Sequence, residues 1–257
     1  MLTLLSVLTF TLFAALYPVF LWIVASQPMG RGFHRLTLGI SSVCAGTAFL
    51  FFWLLNANLH LRLSVAVWLL ALVAVTWFYW NRQGIQEWVV TVPSLLGLVV
   101  YVRVVRELVA GPMALMILSI LGGLIVCGAV FSMVLGHRYL NVANLPIGLL
   151  RRSVTWLLGF LIIRALWDLS HFVQGEIDFN GQVISLIEFI QSFNGFFLFI
   201  ALFFGTVVPI VLCLLTLRTV SLHSTQSATG LLYIVVISVI MGDLFYKYYA
   251  LQFGLFL

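Results

Sequence analysis

Long runs of apolar residues alternate along this chain with short segments that hold most of its polar residues. Each run is close to the roughly 20 residues that an α-helix needs to cross the hydrocarbon core of a bilayer. A segment surrounded by lipid must satisfy its own backbone hydrogen bonds, and the runs lack the turn residues that would separate tilted β-strands about every ten positions. The pattern therefore predicts an all-α, polytopic integral membrane helix bundle.

About eight such runs can be placed along the chain. They cover approximately residues 2–25, 36–56, 63–80, 88–108, 112–136, 153–173, 183–217 and 228–248. We expect the first run to be a retained helix and not a signal peptide, because no basic residue precedes it and it is long enough to span. The seventh run exceeds one crossing, so we expect it to tilt, to extend past the interface, or to bend near Gly205 and Pro209. No long linker interrupts the array, which predicts a single transmembrane domain over residues 1–257.

Composition supports the same class and narrows the function. Of the 257 residues, 63% are hydrophobic and 7% are charged, whereas soluble domains carry about 25% charged residues. No soluble catalytic domain fits into what remains, and the chain has no GxSxG, HExxH, Walker lysine loop or GxGxxG motif. Any reaction would have to take place inside the bundle or on a partner subunit.

The basic residues indicate how the bundle is oriented. Loops on one predicted side hold seven of the twelve, namely Arg31, Arg35, Arg82, Arg138, Arg151, Arg152 and Arg218, and the other side holds four, namely Arg62, Arg103, Arg106 and Lys247. By the positive-inside rule both termini face the non-cytoplasmic side. We expect a bacterial inner (cytoplasmic) membrane, and we attribute the net charge of +5 to orientation and not to nucleic-acid binding.

The longest predicted inner loop and its flanks collect cations and an aromatic ring. We call Arg138, Tyr139, Arg151 and Arg152 the inner-loop patch. One interpretation is a girdle that fixes the depth of the helices. The other is a binding surface for anionic lipid headgroups or for another subunit of a membrane complex.

Helix 5 has three small residues at four-residue spacing, Gly128, Ser132 and Gly136. Such spacing lets a neighbouring helix approach closely, so it predicts a packing face. A flat cofactor or a lipid tail lying along this face is the functional alternative.

The predicted sixth helix carries ionisable residues where the membrane makes them costly. Arg164, Asp168 and His171 recur at steps of four and three and share one helical face. The predicted topology brings Glu188 of helix 7 and Asp243 of helix 8 to the same outer half. Together the five residues are candidates to bind and release protons. The structural alternative is an Arg164–Asp168 ion pair, with the other three residues wetted at the interface.

The histidines allow a second kind of site. His34 and His137 lie on the predicted inner side, and His60 and His171 lie on the outer side, so each pair could ligate one haem b. The alternative is that they are polar tips at the headgroup level. Cys44, Cys127 and Cys213 lie in separate runs without ligand spacing, so no metal site is predicted.

Three functions follow from these features. The leading hypothesis is an integral membrane subunit of a multi-subunit complex, possibly one that transfers electrons, with quinone or proton chemistry in the outer half of the bundle. A secondary or proton-coupled transporter is the alternative, with Arg164, Asp168 and Glu188 near the midplane. A structural or assembly protein without turnover is the third.

Overall fold

A computed structural model of the chain describes residues 1–25, 29, 31–55, 57–82, 84–109, 113–142, 145–174, 176–179 and 182–255. Within these residues, eight helical segments are long and apolar enough to cross a membrane. The predicted all-α, polytopic membrane bundle of about eight spans is therefore confirmed. The helices are α1 (Leu2–Leu16), α2 (Arg31–Trp53), α3 (Leu59–Tyr79), α4 (Glu87–Leu108), α5 (Met113–Asn141), α6 (Gly148–Gln174), α7 (Leu186–Gln191), α8 (Phe193–Leu202), α9 (Val208–Ser221) and α10 (Thr225–Phe253).

The chain divides into two compact units, an N-terminal unit (Met1–Met116) and a C-terminal unit (Ile117–Leu257). In the N-terminal unit α1 packs on α2 and α4, and α3 packs on α2 and α4. A 3₁₀ helix, Tyr17–Ile23, extends α1 and starts next to Pro18, whose fixed φ suits a first helical turn. The first span therefore runs from Leu2 to Ile23.

A tryptophan and a glycine fix the contact between α3 and α4. The indole N–H of Trp68, which is 1% exposed, donates to the carbonyl oxygen of Pro93 at 2.9 Å. Gly97 leaves room for the ring, because a Cβ at this position would lie 2.6 Å from Trp68 Nε1 and 2.7 Å from Ala15 Cβ. A buried indole is thereby satisfied without a polar side chain.

In the C-terminal unit, α10 packs on α8 and α9, and α6 packs on α9. Helix α5 contributes one of the small residues picked out in the sequence. A Cβ on Gly136 would lie 2.8 Å from Thr229 Oγ1 of α10, so the predicted close packing is confirmed at this residue. Ser132 is fully buried as well.

The seventh predicted run is not one helix. A π-helical segment, Phe203–Val207, separates α8 from α9 and contains Gly205, the region where we predicted a bend. Ser192 ends α7 and also caps α8, since its Oγ accepts the backbone N–H of Gly195 at 3.1 Å. The spanning part of the run begins at Gly195 and ends at Ser221.

A short β-hairpin lies between α6 and α7, which the sequence analysis did not predict. Strand β1 (Glu176–Phe179) pairs antiparallel with β2 (Gln182–Ser185). Ser185 then caps α7, with its Oγ accepting the backbone N–H of Glu188 at 3.2 Å. The hairpin is too short to give a clear alternation in the sequence, and its apolar residues merge with the following run.

Candidate functional site

The ionisable residues of α6 form an ion pair inside the C-terminal unit. Nε of Arg164 lies 3.1 Å from Oδ1 of Asp168, one helical turn away. Arg164 is 3% exposed and Asp168 is 4% exposed, and both belong to the span Gly148–His171. The pairing follows from the four-residue spacing, which puts two side chains above each other on a helix.

The second carboxylate oxygen of Asp168 is held by two other helical segments. Oδ2 accepts a hydrogen bond from Oη of Tyr246 on α10 at 2.7 Å and from Oγ1 of Thr206 in the π-helical segment at 3.0 Å. Oη and Oγ1 lie 2.9 Å from each other. We call these three atoms the oxygen triangle, and Arg164, Asp168, Thr206 and Tyr246 the Asp168 network.

Arg164 also fixes the ring of Tyr246. Its guanidinium carbon lies 3.6 Å from the centroid of that ring, which is a cation–π contact. Tyr246 is therefore held at its face by a cation and at its hydroxyl group by a carboxylate. Two helices and the π-helical segment together determine the position of one phenol.

A second buried ion pair joins two residues of α10 that lie one helical turn apart. Nζ of Lys247 contacts Oδ2 of Asp243, and the two residues are 4% and 7% exposed. The sequence pattern placed Lys247 among the basic residues of the outer side, and the structure buries it in α10, a candidate span, beside Asp243.

Three glycines make room for these polar side chains. A Cβ on Gly122 of α5 would collide with Oδ1 of Asp243, and one on Gly205 would lie 2.8 Å from the ring of Tyr246. Gly242 of α10 contacts the backbone of Gly205 directly. The close approach leaves a small cavity, with room for about one water molecule, that is lined by Gly122, Ile125, Arg164, Gly205, Val239, Asp243 and Tyr246.

Comparison of the chain with protein-family models, with curated proteins and with solved structures finds no match. The established class is an integral membrane protein built as a helical bundle.

Two predicted site residues lie elsewhere in the C-terminal unit. His171 is half-buried and stacks on Trp167 of its own helix, with ring centroids 4.6 Å apart and Nδ1 3.1 Å from the Trp167 carbonyl oxygen. Glu188 is exposed in the first turn of α7. Among the described residues, no hydrogen bond or ion pair connects either one to the Asp168 network. Of the five candidates, Arg164, Asp168 and Asp243 form the two buried ion pairs.

The histidines proposed for haem are divided between the two units. His34 is 8% exposed in α2, and its Nδ1 is buried without a hydrogen-bond partner in the described structure. His60 is exposed in α3, and His137 is exposed near the end of α5. Each predicted pair takes one member from each unit, so haem ligation stays a prediction. Across the part of the chain that is described, no group of three or more His, Cys, Asp or Glu is arranged to hold a metal ion.

The inner-loop patch is partly occupied by structural contacts. Oη of Tyr139 donates to the carbonyl oxygen of Pro146, which ties the end of α5 to the segment before α6. Arg138 is half-buried, whereas Arg151 and Arg152 are exposed near the start of α6. Arg151 and Arg152 are therefore the part of the patch that is accessible to a ligand or a partner.

Thr206, Tyr246 and Lys247 were not predicted from the sequence as site residues. Lys247 had a detectable signal, because it follows Asp243 by four residues inside an apolar run. Thr206 and Tyr246 had none, since one threonine or tyrosine among apolar residues is ordinary in a membrane helix. Only the packing of α6, α10 and the π-helical segment brings them to Asp168.

Proposed function

We propose that this protein binds and transfers protons inside the membrane, as a subunit of a larger membrane complex. The oxygen triangle is the observation that supports the proposal. Its three oxygen atoms make three short contacts, and each contact needs one hydrogen atom. When Asp168 is ionised, only two hydrogens are present, those of the Thr206 and Tyr246 hydroxyl groups. A proton on Oδ2 supplies the missing hydrogen and closes a ring of three hydrogen bonds.

The site therefore suits two protonation states without rearrangement. When Asp168 is ionised, Arg164 balances its charge at 3.1 Å. When Asp168 is protonated, the oxygen triangle is fully hydrogen-bonded and Arg164 keeps its contact with the Tyr246 ring. A carboxyl group whose oxygen contacts suit both states is suited to carrying a proton.

The energetic cost of the site favours a function over a scaffold. An ionisable residue at the centre of a bilayer costs roughly 2.5–3.5 kcal/mol on insertion scales, and well-packed apolar residues often replace a buried ion pair without loss of stability. The C-terminal unit nevertheless buries two such pairs. A protein that served only to span or assemble would gain little from them.

The size of the cavity favours protons over larger ligands. A space for about one water molecule admits a proton carrier but not the ring of a quinone. We therefore assign proton chemistry, and neither quinone nor haem b, to this site. The short connections between spans leave little of the chain to drive a reaction alone, which supports membership of a complex, with a bacterial inner membrane as the proposed location.

A proton-coupled transporter is the second candidate, and the π-helical segment favours it. Discontinuous helices commonly form the binding sites of transporters, and π-helical turns are frequent at functional sites. Here the segment Phe203–Val207 supplies Thr206 to the site. Uptake by sealed vesicles that is lost in the Asp168→Asn variant would place transport ahead of the first proposal.

Infrared spectroscopy of the purified full-length protein in lipid nanodiscs tests proton binding directly. We expect a carboxyl C=O stretch that grows as the pH is lowered and that disappears in Asp168→Asn. The control is Glu107→Gln, which removes an exposed carboxylate of α4 and should leave the band intact. A wild-type spectrum without a titrating band assigned to Asp168 would overturn the proposal.

Gentle solubilisation of native membranes tests the complex. An affinity-tagged chain should bring down defined partner subunits in constant ratio. A chain that is always isolated alone would overturn this part of the proposal and leave proton binding standing.

A further inference from the structure

We infer that Asp243 and Lys247 form a second proton-binding pair, and that protons pass between this pair and Asp168 by way of Tyr246. The inference rests on the proposed function and extends it from one site to a route. It assigns Tyr246 the role of relay and Lys247 that of proton donor to the route.

Residues of the two sites line one small space. Asp243 contacts Lys247 through Oδ2, while its Oδ1 is the atom that faces Gly122. The cavity beside Gly122 is lined by Asp243 and by Arg164 and Tyr246 of the Asp168 network. A space for about one water molecule between hydrogen-bonding groups is what a single proton transfer step requires.

The two ion pairs differ in what they can do with a proton. Lysine changes its protonation state when buried, whereas arginine stays charged in proteins. A proton that moves from Lys247 Nζ to Asp243 leaves a neutral amine beside a neutral carboxyl group, so no net charge is created in the membrane. Arg164 cannot do this for Asp168, and the Asp168 network must receive its proton from elsewhere.

The transfer can be written so that atoms and charges balance. The Asp243 carboxyl group gives its proton to a water molecule in the cavity, which gives one of its own to Oη of Tyr246. Tyr246 at the same time passes its phenolic hydrogen to Oδ2 of Asp168, 2.7 Å away. The phenol and the water are regenerated, Asp243 is a carboxylate again, and one proton has moved from Lys247 to Asp168. The transfer leaves one negative charge on the Asp243–Lys247 pair and one positive charge on the Arg164–Asp168 pair until Lys247 takes up another proton.

Deuterium exchange at Asp168 tests the route. The C=O stretch of the protonated carboxyl group is followed after rapid dilution of nanodiscs into D₂O, at a pH where each variant shows the Asp168 band. We expect exchange to slow by roughly a hundredfold in Tyr246→Phe. The matched control is Tyr248→Phe, which removes a hydroxyl group from the same helix at a residue that is 37% exposed, and it should exchange at the wild-type rate.

A double variant guards against misfolding. Removing one member of a buried ion pair leaves an uncompensated charge, whereas removing both does not, so Asp243→Asn is combined with Lys247→Met. This variant should keep the Asp168 band and also slow its exchange.

A retained band with wild-type exchange in both Tyr246→Phe and the double variant would overturn the route. Slow exchange in Tyr246→Phe alone would overturn the role of the second pair. Loss of the titrating Asp168 band in the wild type would mark failure of the proposed function itself.

Discussion

Asp168 is stable inside a membrane span because partners on three helical segments meet its two oxygen atoms. Arg164 is one turn away on α6, but Thr206 is 38 residues along the chain and Tyr246 is 78 residues along. The local partner neutralises the charge and the distant partners saturate the remaining lone pairs. A buried carboxylate needs both kinds of partner.

Breaking this ion pair should be more damaging than deleting it. Asp168→Asn leaves Arg164 charged and buried, and we expect it to destabilise the protein by about 3–5 kcal/mol. Arg164→Met combined with Asp168→Leu should be close to wild type or more stable by about 1–4 kcal/mol, yet should lack the titrating carboxyl band. Denaturant unfolding in mixed micelles measures both.

The exposed pair Arg103–Glu107 supplies the control for that comparison. Its atoms lie 3.3 Å apart, and the Arg103 side chain is 43% exposed. Arg103→Gln should change stability by less than about 0.5 kcal/mol, because water screens such a pair. If the double variant Arg164→Met with Asp168→Leu is as unstable as Asp168→Asn, then packing, and not charge, determines the stability of the site.

Thr206 should contribute through its hydroxyl group alone. Thr206→Val keeps the shape of the side chain but removes its hydrogen bond to Asp168, and we expect a loss of about 1–2 kcal/mol of stability. Thr216→Val is the matched control, because the Thr216 hydroxyl donates only to the Leu212 carbonyl of its own helix. Equal losses in thermal unfolding for the two variants would contradict a special role for Thr206.

At the scale of elements, the π-helical segment and α10 meet through glycines. The backbones of Gly205 and Gly242 touch, and a Cβ on Gly242 would lie 2.7 Å from the Gly205 nitrogen. Close approach of this kind compensates for the absence of a hydrophobic driving force between helices in lipid. It also sets the distance at which Tyr246 reaches Thr206 and Asp168.

Gly242→Ala should therefore force α10 away from the π-helical segment. Because the obstacle is backbone and cannot rotate away, we expect a loss of about 1–3 kcal/mol or more. Gly230→Ala lies in the same helix with nothing within 4 Å of the added atom, so it should be neutral or stabilise by up to about 1 kcal/mol. The two unfolding free energies should differ in this direction, and similar values for both would contradict the packing argument.

At the scale of the whole molecule, the described residues hold eight helices that are long and apolar enough to cross a membrane, and an even number of crossings puts both chain ends on the same side. The seven basic residues on one predicted side predict that this side is cytoplasmic.

Reporter fusions test this topology. An alkaline phosphatase domain, which is active only outside the cytoplasm, should be active at either end of the chain, and a fluorescent reporter that matures only in the cytoplasm should stay dark at both. Fusion after Arg151 should give the reverse pattern, because that residue lies in a predicted inner loop. Opposite results at the two ends would require an odd number of spans.

The sequence by itself determined that this is a membrane bundle of eight spans and that Arg164 and Asp168 share a helical face. Both are local properties, since span length follows from bilayer thickness and pairing follows from the helical period. Even there, the sequence placed the start of the seventh span 12 residues before Gly195, because the hairpin and α7 are apolar too.

Only the tertiary structure decided which polar residues work together. It brought Thr206 and Tyr246 to Asp168, paired Lys247 with Asp243 inside a span, and left His171 and Glu188 apart. In a soluble protein the apolar face of a helix indicates what it packs against, but in lipid every face is apolar. Which helix faces meet is then decided by close-fitting glycines and by a few polar contacts far apart in the chain.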